Sequence, residues 1–143
     1  MEKNVKRKLI QTLVWAVTAV VIGIVIQQFL HSKNAVAQDL KNTSDSVNKY
    51  CPVWIDSITR FDNTTVLPGN TFQYNYSLKL DTALYAVADL KAALEKTLME
   101  QIRSDSSFEA FRENKVTLAF NYTDEQGHFL FREEFRPEQY LKK

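Results

Sequence analysis

The chain has 143 residues, of which 45% are hydrophobic and 24% charged, and its formal net charge is +1 at pH 7. This near balance excludes the basic surface that is typical of nucleic-acid-binding proteins. One cysteine and two histidines are too few for an internal disulfide, a histidine-based triad or a cluster of zinc ligands. The sequence therefore predicts no metal site and no cofactor.

The first element is an uncharged apolar run, residues 9–30. A helix rising about 1.5 Å per residue would extend roughly 33 Å here, enough to cross the hydrocarbon layer of a bilayer. Residues 1–8 form a basic tail, and cationic flanks stay on the cytoplasmic side. We therefore expect a single transmembrane helix, held in the lipid bilayer of the cytoplasmic (inner) membrane, with the remainder of the chain on the periplasmic or extracellular side.

A cleaved secretory signal is the alternative interpretation of the same run. The tripeptide Ala35-Val36-Ala37 resembles a cleavage site, and cleavage would occur after Ala37. Both interpretations export the rest of the chain. They differ over whether the mature protein stays attached to the membrane.

Residues 31–50 are mostly polar and predict a helical stalk. One helical face is marked by residues at spacings of four and three: Val36, Leu40, Thr43, Val47 and Tyr50. This face could join copies of the chain into a weak homo-oligomer, or it could lie on its own domain. The sequence leaves both arrangements open.

The extracytoplasmic domain is expected to span residues 51–143, because Cys51-Pro52 ends the stalk helix. Cys51 is interpreted as a buried thiol, with an intermolecular disulfide as the alternative. Residues 53–65 are rich in β-branched and aromatic residues and predict a first strand. After a Pro-Gly turn, a second strand is predicted from alternating apolar residues that we expect in the core: Phe72, Tyr74, Tyr76, Leu78 and Leu80.

A change to helical spacing predicts a long helix from Asp81 or Thr82 to Arg103, followed by a short helix from Ser106 to Arg112. Two further strands are predicted, at residues 116–122 and 129–135. The order is ββα(α)ββ. It predicts an α+β fold, a four-stranded antiparallel sheet packed by one long helix, similar in layout to cystatins.

Several short segments carry a resemblance to a known group of proteins. They are Cys51-Pro52, Asp56, Thr59-Arg60-Phe61-Asp62-Asn63 and Phe72-Gln73-Tyr74-Asn75-Tyr76. In this order they resemble an uncharacterised group of bacterial membrane-anchored or exported proteins, in which leucine stands at the position of Phe61. The resemblance covers residues 48–80, with a looser match at 111–117. It implies a bacterial origin and no particular activity.

One face of the first predicted strand carries the largest concentration of side chains that could bind a ligand or take part in a reaction. Strand alternation places Trp54, Asp56, Arg60 and Asp62 on the same side. An arginine between two acids could bind a carboxylate or polarise a substrate. The alternative is that Arg60 pairs with these acids on a partly solvated sheet face.

The sequence offers no catalytic constellation, so we expect a non-enzymatic, membrane-anchored interaction domain. Its partner would be a protein of the cell envelope, with the chain as an accessory subunit or binder. The alternative is a small-molecule-binding or carboxylate-based enzymatic domain that uses the face of Asp56, Arg60 and Asp62. Trp54 is a further candidate binding residue on this face.

Overall fold

A computed structural model of the protein describes residues 36–81 and 86–142. In chain order the described elements are α1 (Val36–Asn48), β1 (Val53–Trp54), β2 (Thr59–Leu67), β3 (Thr71–Leu78), α2 (Val87–Ser104), a 3₁₀-helix (Ser106–Phe108), α3 (Glu109–Glu113), β4 (Thr117–Asp124), β5 (Phe129–Phe135) and α4 (Pro137–Tyr140).

The strands form one mixed sheet with the spatial order β1-β2-β3-β4-β5. The neighbouring pairs are antiparallel except β3 and β4, which run parallel in the centre, with Thr71 opposite Thr117 and Tyr76 opposite Tyr122. The 18-residue α2 is about 27 Å long, close to the length of the 8-residue β3. The helix therefore returns the chain to the end of the sheet where β3 begins, and β4 enters in the same direction.

The predicted fold class is wrong in two respects. The sheet has five strands and a parallel pair instead of four antiparallel strands, so the layout is not that of a cystatin. The first predicted strand is interrupted between Trp54 and Thr59, and its two parts pair with each other as β1 and β2. Alternation alone did not reveal the bend at residues 55–58.

The helices α1 and α2 pack on one face of the sheet, which we call the core face. α1 contacts β2, and α2 contacts β5. The core face carries large buried side chains from strands β2 to β5: Phe61, Phe72, Tyr74, Tyr76, Leu78, Leu118, Phe120, Tyr122, Phe131 and Phe135. The predicted core positions Phe72, Tyr74, Tyr76 and Leu78 are therefore correct, and Leu80 is partly buried against this cluster.

The predicted stalk is a helix, but it belongs to the packed domain. Leu40, Thr43 and Val47 are buried, and α1 lies against β2. Asn48 accepts a hydrogen bond from the backbone amide of Thr64 at 2.7 Å, and Ser44 Oγ lies 2.8 Å from Thr64 Oγ1. Of the two arrangements left open by the sequence, the structure has the helix on its own domain. Most of the face considered for self-association is thus occupied.

The C-terminal half of the domain contains short helical elements. The Asp105 side chain accepts from the Ser107 amide at 2.8 Å and begins the 3₁₀-helix. α4 begins at Pro137, two residues after the last residue of β5, and this helix was not predicted from the sequence. Its Tyr140 hydroxyl is buried and donates to the backbone oxygen of Val116 at 2.6 Å.

None of the helices between residues 36 and 142 that the structure describes is both long and apolar enough to cross a membrane. The predicted transmembrane helix, residues 9–30, lies outside the described residues, as do the basic tail and residues 82–85 of the predicted long helix. The described part of that helix begins at Val87.

Candidate functional site

Asp56 does not join the other predicted site residues. It lies in the bend between β1 and β2, where its Oδ1 accepts hydrogen bonds from the amides of Ile58 at 2.8 Å and Thr59 at 2.7 Å. Aspartate commonly closes turns in this way, because its short side chain reaches amides two and three residues ahead. The carboxylate thus stabilises the bend that separates the two strands.

The structure does bring Trp54, Arg60 and Asp62 together. Trp54 and Arg60 are cross-strand neighbours, and the guanidinium carbon lies 5.7 Å from the centre of the indole ring. Arg60 Nε donates to Asp62 Oδ1 at 2.5 Å. Ser77 Oγ of β3 donates to Asp62 Oδ2 and lies 3.3 Å from Thr123 Oγ1 of β4. We call Trp54, Arg60, Asp62 and Ser77 the Arg60 cluster.

The Arg60 cluster is a partly solvated surface. The Trp54 residue is 51% exposed, and the side chains of Arg60 and Asp62 are 37% and 21% exposed. An ion pair at such a surface contributes about 0–1 kcal/mol to stability, and an exposed cation–π contact contributes about 0.5–1 kcal/mol. The cluster therefore contributes little to folding, and its exposed indole and guanidinium are available for contact with another molecule.

A polar network lies on the face of the sheet opposite the helices, which we call the open face. Asn75 donates to Asn63 at 2.7 Å, and Gln73 donates to Asn75 at 2.9 Å. Arg132 of β5 donates to Gln73 at 2.9 Å and to Glu134 at 2.7 Å. The sequence analysis missed this network, although its members alternate with the core residues of β3 and β5.

The core face carries a second feature that the sequence analysis missed. Tyr74, Tyr76 and Tyr122 are at most 1% exposed, and within the described part of the chain their hydroxyl groups meet no hydrogen-bond partner. The same holds for Glu133 Oε1, which is buried beneath α2. An unpartnered buried polar group costs about 1–3 kcal/mol, so three such tyrosine hydroxyls on one face of a sheet are unusual.

Glu133 lies on the core face of β5, opposite Phe120. Lys91 of α2 approaches its Oε1 at 3.7 Å, which is longer than a hydrogen bond. Burial raises the pKa of the Glu133 carboxyl above its usual value, and Glu95 adds to this effect, while Lys91 opposes it. An inward-pointing charge on an outer strand also discourages unwanted pairing of that edge with other chains.

His128 and Cys51 are two further reactive side chains of the domain. His128 and Asp124 contact each other at 2.9 Å in the turn between β4 and β5, where Asp124 also accepts from backbone amides. Cys51 is a free, partly buried thiol, whose pKa is raised by burial and by the nearby Asp62. Among the described residues no group of three histidine, cysteine or acidic side chains is placed to hold a metal ion.

Residues 34–131 match a protein family described as a domain of unknown function, DUF8479. The chain belongs to the DUF8479 family. No curated protein sequence matches this DUF8479 chain.

The DUF8479 chain is similar in fold to three bacterial proteins of known structure. One is a protein from Pseudomonas aeruginosa that is inferred to be secreted, with a TM-score of 0.64, 13% identity and coverage of 77% of this chain and 97% of that one. A second is the type 2 secretion system pilotin of Vibrio vulnificus, with a TM-score of 0.60, 9% identity and coverage of 78% and 96%. The third is a type II secretion system pilotin of Vibrio cholerae, with a TM-score of 0.55, 6% identity and coverage of 75% and 94%.

These findings contradict the predicted localisation, a single-pass protein of the bacterial inner membrane. The described helices cannot cross a bilayer, and the similar structures are a protein inferred to be secreted and two pilotins. The two pilotins also replace the cystatin as the better comparison for the fold, because this likeness includes nearly the whole of each pilotin.

Proposed function

We propose that this chain is a non-enzymatic, protein-binding domain of the bacterial cell envelope whose partner belongs to a secretion machinery. The observation that carries the proposal is the likeness of its fold to two pilotins of type II secretion systems. The likeness covers 96% and 94% of those two chains, so it concerns the whole domain and not a shared supersecondary motif.

The Arg60 cluster is the surface we assign to the partner. Tryptophan and arginine are the residue types most enriched at energetic hot spots of protein interfaces. Here an indole that is 51% exposed lies beside a guanidinium that is fixed in place by Asp62. Because the side chains are already held, less conformational freedom is lost when a partner binds.

The same geometry argues against the alternative, a carboxylate-based enzyme on this face. General acid–base chemistry by two carboxyl groups needs both of them near one substrate. Asp56 instead binds two backbone amides in the bend, and the oxygens of Asp62 are engaged by Arg60 and Ser77. The arrangement fits a positioned binding surface better than an acid–base pair.

The proposal predicts that Arg60→Ala reduces partner capture while the domain stays folded. A photo-crosslinking amino acid at the exposed Ser57, beside the cluster, should trap a component of a secretion machinery in the bacterial envelope. Arg60→Ala in the same chain should abolish that product, because the fixed guanidinium is lost. Its free energy of unfolding should change by only about 0–1 kcal/mol, measured by thermal melting of the same preparation.

Lys96→Ala is the matched control. Lys96 is an exposed cation on α2, at the opposite side of the sheet from the Arg60 cluster, so its removal should leave the crosslink intact. A folded Arg60→Ala variant that crosslinks as well as the wild type would remove this face from consideration. Products that contain no secretion component would contradict the proposed function itself.

A further inference from the structure

The unpartnered polar atoms of the core face lie close together in two adjacent rows of the sheet. Tyr76 is opposite Tyr122 in one row, whereas Phe120 lies between Tyr74 and Glu133 in the next. All three tyrosines come from the central parallel strands and project toward the layer of α1 and α2. Tyr76 is near enough to Tyr74 and Tyr122, and Tyr122 to Glu133, for their charges to interact.

The spacing of the two facing tyrosines suits one small bridging molecule. Their rings are stacked, with centroids 5.3 Å apart and planes inclined by 17°. Because the two side chains start from paired positions of neighbouring strands, we take their hydroxyl oxygens to be about as far apart as their rings. A molecule that makes a hydrogen bond of about 2.8 Å to each hydroxyl spans about 5 Å.

Tyr140 provides an internal comparison. Its hydroxyl is also buried, but it donates to the backbone oxygen of Val116 at 2.6 Å. The fold thus provides a protein partner for a buried hydroxyl at one position and not at the three central ones. The three central hydroxyls thus have no hydrogen-bond partner among the described residues, whereas that of Tyr140 does.

We propose that the hydroxyl groups of Tyr74, Tyr76 and Tyr122 and the carboxyl group of Glu133 form an internal binding site for ordered water. Water can accept a hydrogen bond from a tyrosine and donate one to Glu133, which matches the mixed set of donors and acceptors. It is also small enough for a core in which these side chains are at most 8% exposed. Buried waters in folded proteins typically make about three hydrogen bonds each, as this site allows.

The first arm of the test removes single hydroxyl groups and keeps the rings. Tyr76→Phe and Tyr122→Phe should each lower the Tm by several degrees, because the bound water loses a partner. Tyr50→Phe, at a position that is 68% exposed, should leave the Tm unchanged. An unchanged or raised Tm for both core variants would overturn the proposal, since removal of an unpartnered hydroxyl stabilises a protein.

The second arm detects the water itself by oxygen-17 magnetic relaxation dispersion. The wild-type protein should contain long-lived internal water, and the Tyr76→Phe, Tyr122→Phe double variant should contain at least one molecule fewer. An unchanged dispersion in the double variant would overturn the proposal even if the Tm falls, because the hydroxyls would then bind protein groups. A co-purified small molecule seen by native mass spectrometry and lost in the double variant would also overturn it.

Discussion

Tyr74 shows how much of the stability of this domain resides in single aromatic side chains. It is 1% exposed, and its ring is stacked on that of Phe120 across the parallel pair, with centroids 5.1 Å apart. Tyr74→Ala should lower the free energy of unfolding by on the order of 3 kcal/mol or more, because it removes this contact and leaves a cavity. Urea denaturation would measure the change.

Tyr50→Ala is the control for that measurement, since Tyr50 is 68% exposed and should tolerate truncation with little effect. A loss of less than about 1 kcal/mol at Tyr74 would mean that the ring is not part of the packed core. The aromatic face would then have to lie at the surface.

Glu133 should make the stability of the domain depend on pH. Burial raises its pKa in the folded state above the ordinary value of 4.5, so the folded protein binds a proton more tightly than the unfolded chain does. Stability should therefore fall as the pH rises from the ordinary value through the raised one. Among the described residues Lys91 opposes the shift, whereas Glu95 increases it.

Glu133→Gln tests this dependence, because the amide keeps the shape of the side chain but cannot ionise. Between pH 4 and pH 8 the variant should lose less stability than the wild type, measured by urea denaturation at a series of pH values. Glu100→Gln, on the exposed side of α2, is the matched control for the loss of an acidic side chain. Equal pH profiles for wild type and Glu133→Gln would show that Glu133 ionises freely in the folded protein.

At the residue scale the sequence predicted part of the candidate site. Arg60 and Asp62 do meet by alternation along β2, whereas Trp54 meets Arg60 through the pairing of β1 with β2. Asp56 was assigned to the same face because nothing in the alternation marks a bend. The contribution of Ser77 was not predictable, since it depends on the register between β2 and β3.

At the scale of elements, α1 makes the clearest prediction. Leu40 is completely buried where the helix packs on β2. Leu40→Ala should lower the free energy of unfolding by about 2–5 kcal/mol, because it opens a cavity between helix and sheet. Lys41→Ala, on the exposed side of the same helix, should change it by less than about 1 kcal/mol.

Circular dichroism and tyrosine fluorescence should report the same midpoint for Leu40→Ala, since helix and sheet share one core. If the helix signal melted separately and the sheet were unaffected by the substitution, α1 would be a stalk that is independent of the domain. The sequence could not decide between these arrangements, because an amphipathic helix has the same pattern whatever covers its apolar side.

Most other elements were predictable where their pattern is strong. The alternation in β3 and β5 and the helical spacing in α2 identified all three, and the bounds of β5 agree with the prediction. The four residues of α4 are too few for a periodic pattern, so that helix was missed. The division into β1 and β2 was missed because a side chain, Asp56, and not a glycine or proline, closes the bend.

At the scale of the whole molecule, strand direction was the part that the sequence did not determine. A long helical connection can lead to a parallel or an antiparallel neighbour, and the pattern of the strands is similar in both cases. α2 and β3 have nearly equal lengths, and this match favours the parallel pair. The match is a property of the folded dimensions and not of the hydrophobic pattern. The likeness of the resulting fold to pilotins was not predicted from the sequence.

The parallel pair also determines the order in which the domain can be completed during synthesis on the ribosome. β3 cannot pair with β4 until α2 and the short helices have emerged, a delay of about 45 residues, or roughly 2–9 s at typical rates of translation. Throughout this interval the edge of β3 and the aromatic side chains of its core face have no β4 beside them. The nascent chain therefore exposes an unpaired strand edge and aromatic side chains for seconds. A chaperone that binds extended aromatic segments would bind at residues 71–78.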